Sequence, residues 1–105
     1  MQRLMRYVNE IKIGGILFHK GDPVTQGVTT RLQKASRVPM LVSLDGEWGL
    51  SMRLSGTTRF PKNMMLGAIE DNSLITEYGK EVARQCKEMG IHINFAPDMD
   101  VNSNT

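Results

Sequence analysis

Asp45, Glu47 and Arg53 fall in one short stretch with Trp48 among them, and here the chain gathers groups able to bind or react. Each also has a plain structural use. Asp45 is suited to capping the loop or helix behind it. Arg53 is as well suited to pairing with Asp45 or Glu47 as to touching a ligand, and Glu47 reads as structural. Residue types alone point to a site near Asp45 without naming its chemistry. Other constellations give negatives. Asp98, Asp100 and Asn102 have the spacing that opens a calcium loop, but Ser103 stands where that loop needs glycine and no bidentate Glu follows. His19 and His92 lie far apart with Cys86 as the single cysteine, so no zinc site is expected. Gly14-Gly15 precedes an apolar run rather than following one, which argues against a dinucleotide turn. No cofactor or metal is expected.

The elements that must position these groups alternate. Leu4, Val8 and Ile11 share a helical face, and Gly14-Gly15 stops it. Gly15 to Phe18 reads as an apolar strand buried on both faces, as in a parallel sheet. Asp22 suits an N-cap and Pro23 the first helical position. Val24, Val28, Leu32 and Ala35 then line a helix, with Lys34 and Arg37 in its last turn and Pro39 ending it. Met40 to Leu44 is a second buried strand. Leu74, Tyr78, Val82, Cys86 and Met89 recur at helical spacing, widened by Ile75 and Ala83, and Gly90 caps that helix. Ile91 to Ala96 reads as a third strand, ended by Pro97. The order predicts an α/β fold with about three parallel strands and flanking helices. Asp45 to Asn72 is far longer than the usual connection of about 2–6 residues. It leaves the carboxyl end of a strand, where α/β folds place ligand sites.

Bulk properties bound the function. The chain has 105 residues, 40% hydrophobic and 23% charged, with a net charge of +2 and no basic run, so a nucleic-acid surface is not expected. No apolar run approaches the ~20 residues of a membrane span, and residues 1–6 lack the apolar core of a signal peptide. The single cysteine excludes an internal disulfide framework; on the helical stripe, Cys86 reads as packing.

Three segments together carry a resemblance. Asp45-Gly46-Glu47-Trp48-Gly49 followed by Arg53 is similar to an Asp-x-Glu-x-Gly stretch and later Arg of glycoside hydrolase family 3. Gly14-Gly15-Ile16-Leu17-Phe18 resembles that family's Gly-Gly-Ile-Leu-Phe strand. Gly90 to Pro97, then Asp100-Val101, resembles its Gly-Ile-Asn-x-x-Phe-Ala-Pro-x-x-Asp-Val strand. The matches come in the family's order and cover the chain from Ile11 to Val101, nearest to bacterial β-N-acetylglucosaminidases, with β-glucosidases second.

The resemblance implies a single domain over residues 1–105 that is part of a TIM-type (β/α)8 barrel. It implies a retaining exo-β-glycosidase acting on terminal β-N-acetylglucosamine. Asp45 and Arg53 match the substrate-binding positions, and Trp48 and Asp100 become candidates for the pocket rim. Trp48 departs from the small residue usual there and is either a stacking platform or a lid on the rim. Asp100 otherwise reads as a structural carboxylate at the barrel mouth. The family's Asp nucleophile and Asp-His acid/base lie on later strands and loops, so the chain is expected to be inert alone. A barrel needs around 250 residues, and unpaired sheet edges predict self-association. The expected partner is a carbohydrate. The alternative from another class is a non-catalytic α/β module for carbohydrate binding or interaction; a reading frame continuing past Thr105 would separate the two.

Overall fold

The three strands, β1 (Gly15–Phe18), β2 (Leu41–Leu44) and β3 (Ile93–Asn94), lie side by side in chain order and pair parallel throughout. The computed structural model describes residues 1–22, 24–100 and 103. Pro23, Val101 and Asn102, named above for a helix start, a strand match and a calcium loop, lie outside the described residues. Register places Ile16 beside Val42 and Phe18 beside Leu44, with Leu44 beside Asn94 in turn.

Helices connect the strands. α1 (Gln2–Arg6) runs into a π-helical turn, Tyr7–Ile11, which ends at Lys12 in the left-handed conformation rather than at Gly14. A π turn adds a residue per turn and rotates the chain beyond it. Ile11 therefore faces solvent, and Met5, Val8 and Ile13 do the packing expected of Leu4, Val8 and Ile11. α2 (Thr25–Ala35) buries Leu32 completely but leaves Val24 exposed at its cap. Asp22 Oδ1 accepts from Val24 N at 2.9 Å, so Asp22 closes a turn two residues before the Val24 cap instead of capping the helix itself. Arg37 lies beyond the helix end. α3 (Asn63–Leu66) is a single turn inside the long connection. α4 (Asn72–Glu88) starts on Asp71, whose carboxylate accepts from Ser73 N, and Gly90 follows its end with φ of 70°. Its inward face is Val82, Gln85 and Cys86, with Tyr78 and Met89 half-buried; Leu74 and Ala83 stay exposed.

Packing divides the sheet into two unlike faces. Ile16, Phe18, Val42 and Leu44 point toward the helices and join two clusters. One gathers Leu50, Leu54, Val82, Cys86 and Ile91; the other gathers Val8, Leu32 and Met40. Burying each such Leu contributes about 1.5–3 kcal/mol. The opposite face is largely open, with only Ser43 of the central strand buried on it. Leu17 and Leu41 are each 56% exposed and Phe95, two residues beyond Ile93, is 57% exposed. The expectation of burial on both faces fails for β1 and at Leu41, because helices cover only one side, while Val42, Ser43 and Leu44 of the central strand are all buried. The molecule is accordingly a slab of 50 × 27 × 21 Å with a radius of gyration of 16.0 Å, against about 13 Å for a compact chain of this length.

β3 is much shorter than the Ile91 to Ala96 expected. His92 N and Phe95 N donate to Val42 O and Leu44 O, and the His92 imidazole accepts from Val42 N at 3.0 Å through Nδ1. A side chain thus completes the ladder where backbone cannot. Gln33 does the same where β2 begins, its carboxamide donating to Met40 O at 2.6 Å and accepting from Met40 N at 2.9 Å. No helix among the described residues is long and apolar enough to cross a membrane.

Candidate functional site

Because the strands are parallel, their carboxyl ends share one rim, and Asp45 is the first residue past β2 on it. The chain then turns sharply. Gly49 N donates back to Gly46 O at 3.0 Å, and Gly49 takes φ 92°, ψ 176°, a conformation open essentially to glycine alone. A 3-10 turn, Leu50–Met52, comes next, and fully buried Leu50 and Leu54 anchor it in the core. Arg53 sits between these anchors. Its carbonyl accepts from Gly21 N at 2.9 Å and Ser55 N donates to Gly21 O at 3.0 Å, so the connection after β1 pins the arginine backbone.

Held there, Arg53 turns back over Asp45. Its Nε donates to the Asp45 carbonyl at 2.8 Å, and its terminal nitrogen pairs with Asp45 Oδ2. The arginine side chain is 18% exposed and the aspartate 39%, so the pair is sheltered while the carboxylate keeps an open side. Such two-point grips use the planar guanidinium fork, which lysine lacks. The structure therefore brings together the two residues singled out for substrate binding. Trp48 is half-buried and Asp100 is exposed, its N–H donating to Asp98 Oδ1 at 3.1 Å.

Two further residues shape this rim. Glu47 Oε2 accepts from Asn63 Nδ2 at 3.1 Å and from Asp98 N at 2.9 Å, tying α3 and the segment after β3 to the loop. Asn94 holds Gly46 through Oδ1 accepting from its N–H at 2.9 Å and Nδ2 donating to its O at 3.3 Å. The structural assignment of Glu47 agrees with its bonds. Asn94 is not among the residues that the sequence singles out as functional; the signal for it is a carboxamide which, with His92, interrupts an apolar strand run. Phe60 packs edge-on to Tyr78 with ring centroids 5.0 Å apart. Burial, and after it the Glu47 charge, push the Tyr78 hydroxyl above its ordinary range.

A cavity of about 550 Å³ opens on the other side of this loop, between α4, α3 and β3, lined by Glu47, Ile75, Tyr78, Val82, Cys86 and Asn94 among others. Asp45, Trp48, Arg53 and Asp100 do not line it. It is a gap on the helix side of the sheet with few polar groups, and the rim chemistry lies elsewhere. Burial also raises the Cys86 thiol, in keeping with an inert packing residue. Among the described residues, no cluster of three or more His, Cys, Asp or Glu is arranged to hold a metal.

Residues 2–105 match the family described as the glycosyl hydrolase family 3 N-terminal domain. The chain is 31% identical to beta-hexosaminidase A of Pseudoalteromonas piscicida over 115 residues, covering 96% of this chain and 19% of that protein. It is 26% identical to the beta-N-acetylglucosaminidase/beta-glucosidase of Cellulomonas fimi over 95 residues, covering 90% of this chain and 17% of that protein. The chain thus spans less than a fifth of the length of either relative. A parallel α/β fold, an acidic residue at the strand rim and a match over nearly every residue agree: the chain belongs to the glycosyl hydrolase family 3 N-terminal domain family.

Proposed function

We propose that this chain is the early part of a (β/α)8 barrel in a retaining exo-β-glycosidase that removes terminal β-N-acetylglucosamine. Its share of the work is to grip the sugar, not to break the bond. The observation that carries this reading is Asp45 at the carboxyl rim of β2, clasped by Arg53 through both its carboxylate and its carbonyl. An ionised carboxylate oriented in this way accepts sugar hydroxyls in charge-assisted bonds. That grip helps position and distort the reacting ring. Trp48 and Asp100 belong to the same rim in this reading.

The sheet supports the barrel. In an open doubly wound sheet helices cover both faces; in a barrel they form an outer ring and side chains fill the inside. Here strand order follows chain order, the helices lie on one face, and the other carries Leu17, Leu41 and Phe95 bare. Two-residue alternation along Leu41, Ser43 and Asp45 directs the carboxylate to that inner side. Retaining hydrolysis needs two carboxyl groups roughly 5–5.5 Å apart across the bond. Asp45 is engaged by Arg53 and Glu47 by Asn63 and the Asp98 N–H, which leaves the nucleophile and acid/base to be supplied outside these residues. The chain alone is inert on this account.

A β-glucosidase of the same family is the second reading, favoured by the double name of the Cellulomonas fimi relative. Turnover of paired aryl N-acetyl-β-glucosaminide and aryl β-glucoside by the complete protein separates the two. Each hydrogen bond to a charged group is worth about 1.5–3 kcal/mol. Losing two of them in Asp45→Asn lowers kcat/KM by at least about 10²-fold. Near-normal turnover of either substrate by that variant removes Asp45 from the sugar site.

A further inference from the structure

Gly46 immediately follows Asp45, and its peptide is held by a side chain from the neighbouring strand. The last backbone bond between β2 and the chain after β3 runs from Phe95 N to Leu44 O. One step further, Gly46 N and O meet the Asn94 carboxamide at 2.9 and 3.3 Å. A carboxamide presents an acceptor and a donor on one edge, as an extended residue presents its C=O and N–H, so Asn94 extends the ladder by one rung beyond its backbone. We propose that Asn94 is the positioning residue for Asp45, an inference that rests on Asp45 being the sugar-gripping carboxylate.

The constraints on Asp45 close around it. Leu44 before it is fixed by the ladder, Gly46 after it by Asn94, and its own carbonyl by Arg53 Nε. Only the side-chain torsions remain, and the Arg53 terminal nitrogen holds those. The fit at Gly46 is close: a Cβ there would stand 3.1 Å from Gly49 O and 3.3 Å from Asn94 Oδ1. Glu47, the next residue along, accepts from Asp98 N through Oε2, so the segment carrying Asp100 is tied to the same frame. Displacing a reacting or binding group by about 1 Å can cost about 10²-fold in rate, which is the scale on which this clamp acts.

β2 offers its own control. Gln33 clamps Met40 at the opposite end of the strand in the same two-bond pattern. Removing it costs the same kind of hydrogen bonds without touching the rim. In the complete protein, Asn94→Asp at neutral pH keeps an acceptor for Gly46 N but sets a carboxylate against Gly46 O. The expected result is a fall in kcat/KM of about 10- to 10²-fold. As pH drops toward about 4 the substituted carboxyl regains a proton to donate, and the ratio of variant to parent kcat/KM rises toward one. Gln33→Ala lowers the melting temperature and leaves kcat/KM unchanged. The inference is overturned if Asn94→Asp behaves like Gln33→Ala, or if its ratio to the parent is flat with pH. Asp45→Asn, run alongside, separates the two levels: lost turnover there with intact Asn94→Asp overturns the positioning role alone, whereas normal turnover overturns the reading of Asp45 and this role with it.

Discussion

Gly49→Ala is the sharpest structural perturbation of the rim loop. At φ 92° and ψ 176° the residue occupies backbone space that L side chains avoid, at a cost of about 1–3 kcal/mol. The new Cβ would also lie 2.7 Å from Phe60 Cδ2. Phe60 cannot retreat freely, since its ring packs edge-on against Tyr78 at 5.0 Å, and loosening such a pair forfeits about 0.5–1.5 kcal/mol. The two effects together predict a destabilisation of about 2–4 kcal/mol. Equilibrium urea unfolding of the 105-residue chain, kept dilute enough to be monomeric and monitored by the emission of Trp48, its single tryptophan, measures it directly beside the changed residue. Gly79→Ala is the matched control: it lies inside α4 with nothing within 4 Å of a Cβ, so it should be stabilising by about 0.5–1 kcal/mol. If Gly49→Ala falls within about 0.5 kcal/mol of the parent, the loop does not have this shape and the placement of Arg53 over Asp45 goes with it.

Two other outcomes stem from the fold. Burial raises the Cys86 thiol above its ordinary 9.0 and, with the Glu47 charge, the Tyr78 hydroxyl above 10.0. Between those values and the raised ones the folded chain keeps protons that the unfolded chain has lost, so this stability is full below about pH 8 and declines above about pH 9; melting temperatures that stay level to about pH 11 would contradict it. The 105-residue chain alone should show a mass in light scattering that rises with concentration, through the bare Leu17, Leu41 and Phe95 face and the unpaired edges of β1 and β3. Leu41→Lys should reverse much of that; a concentration-independent monomer with a sharp melt would refute it.

The parts of this fold legible in the sequence are those set by local chemistry. Gly15-Ile16-Leu17-Phe18 and Met40 to Leu44 are mostly apolar, short and bounded by breakers, and parallel strands form there at Gly15–Phe18 and Leu41–Leu44. The Tyr78, Val82 and Cys86 stripe ends at Gly90 as its spacing implied. Features set by neighbours were not legible. An apolar strand reads as buried on both faces, yet Leu17 and Leu41 are open because helices pack on one side only. Periodicity assumes an α-helical pitch, and the π turn at Tyr7–Ile11 breaks that assumption, sending Ile11 outward. At the rim, the family resemblance singled out Asp45 and Arg53, eight positions apart, and the fold bonds them to each other. Asn94, from a different strand, reaches Gly46 only through the register of β2 against β3, which no local pattern encodes.

The central claim is that the Asp45 carboxylate takes hold of a pyranose. A crystal structure of the complete protein soaked with N-acetylglucosamine addresses it without kinetics. The account predicts ring hydroxyls within about 2.5–3.0 Å of the Asp45 oxygens, with Arg53 still clasping the same side chain. A sugar seated elsewhere, with Asp45 touching nothing but Arg53, would contradict it.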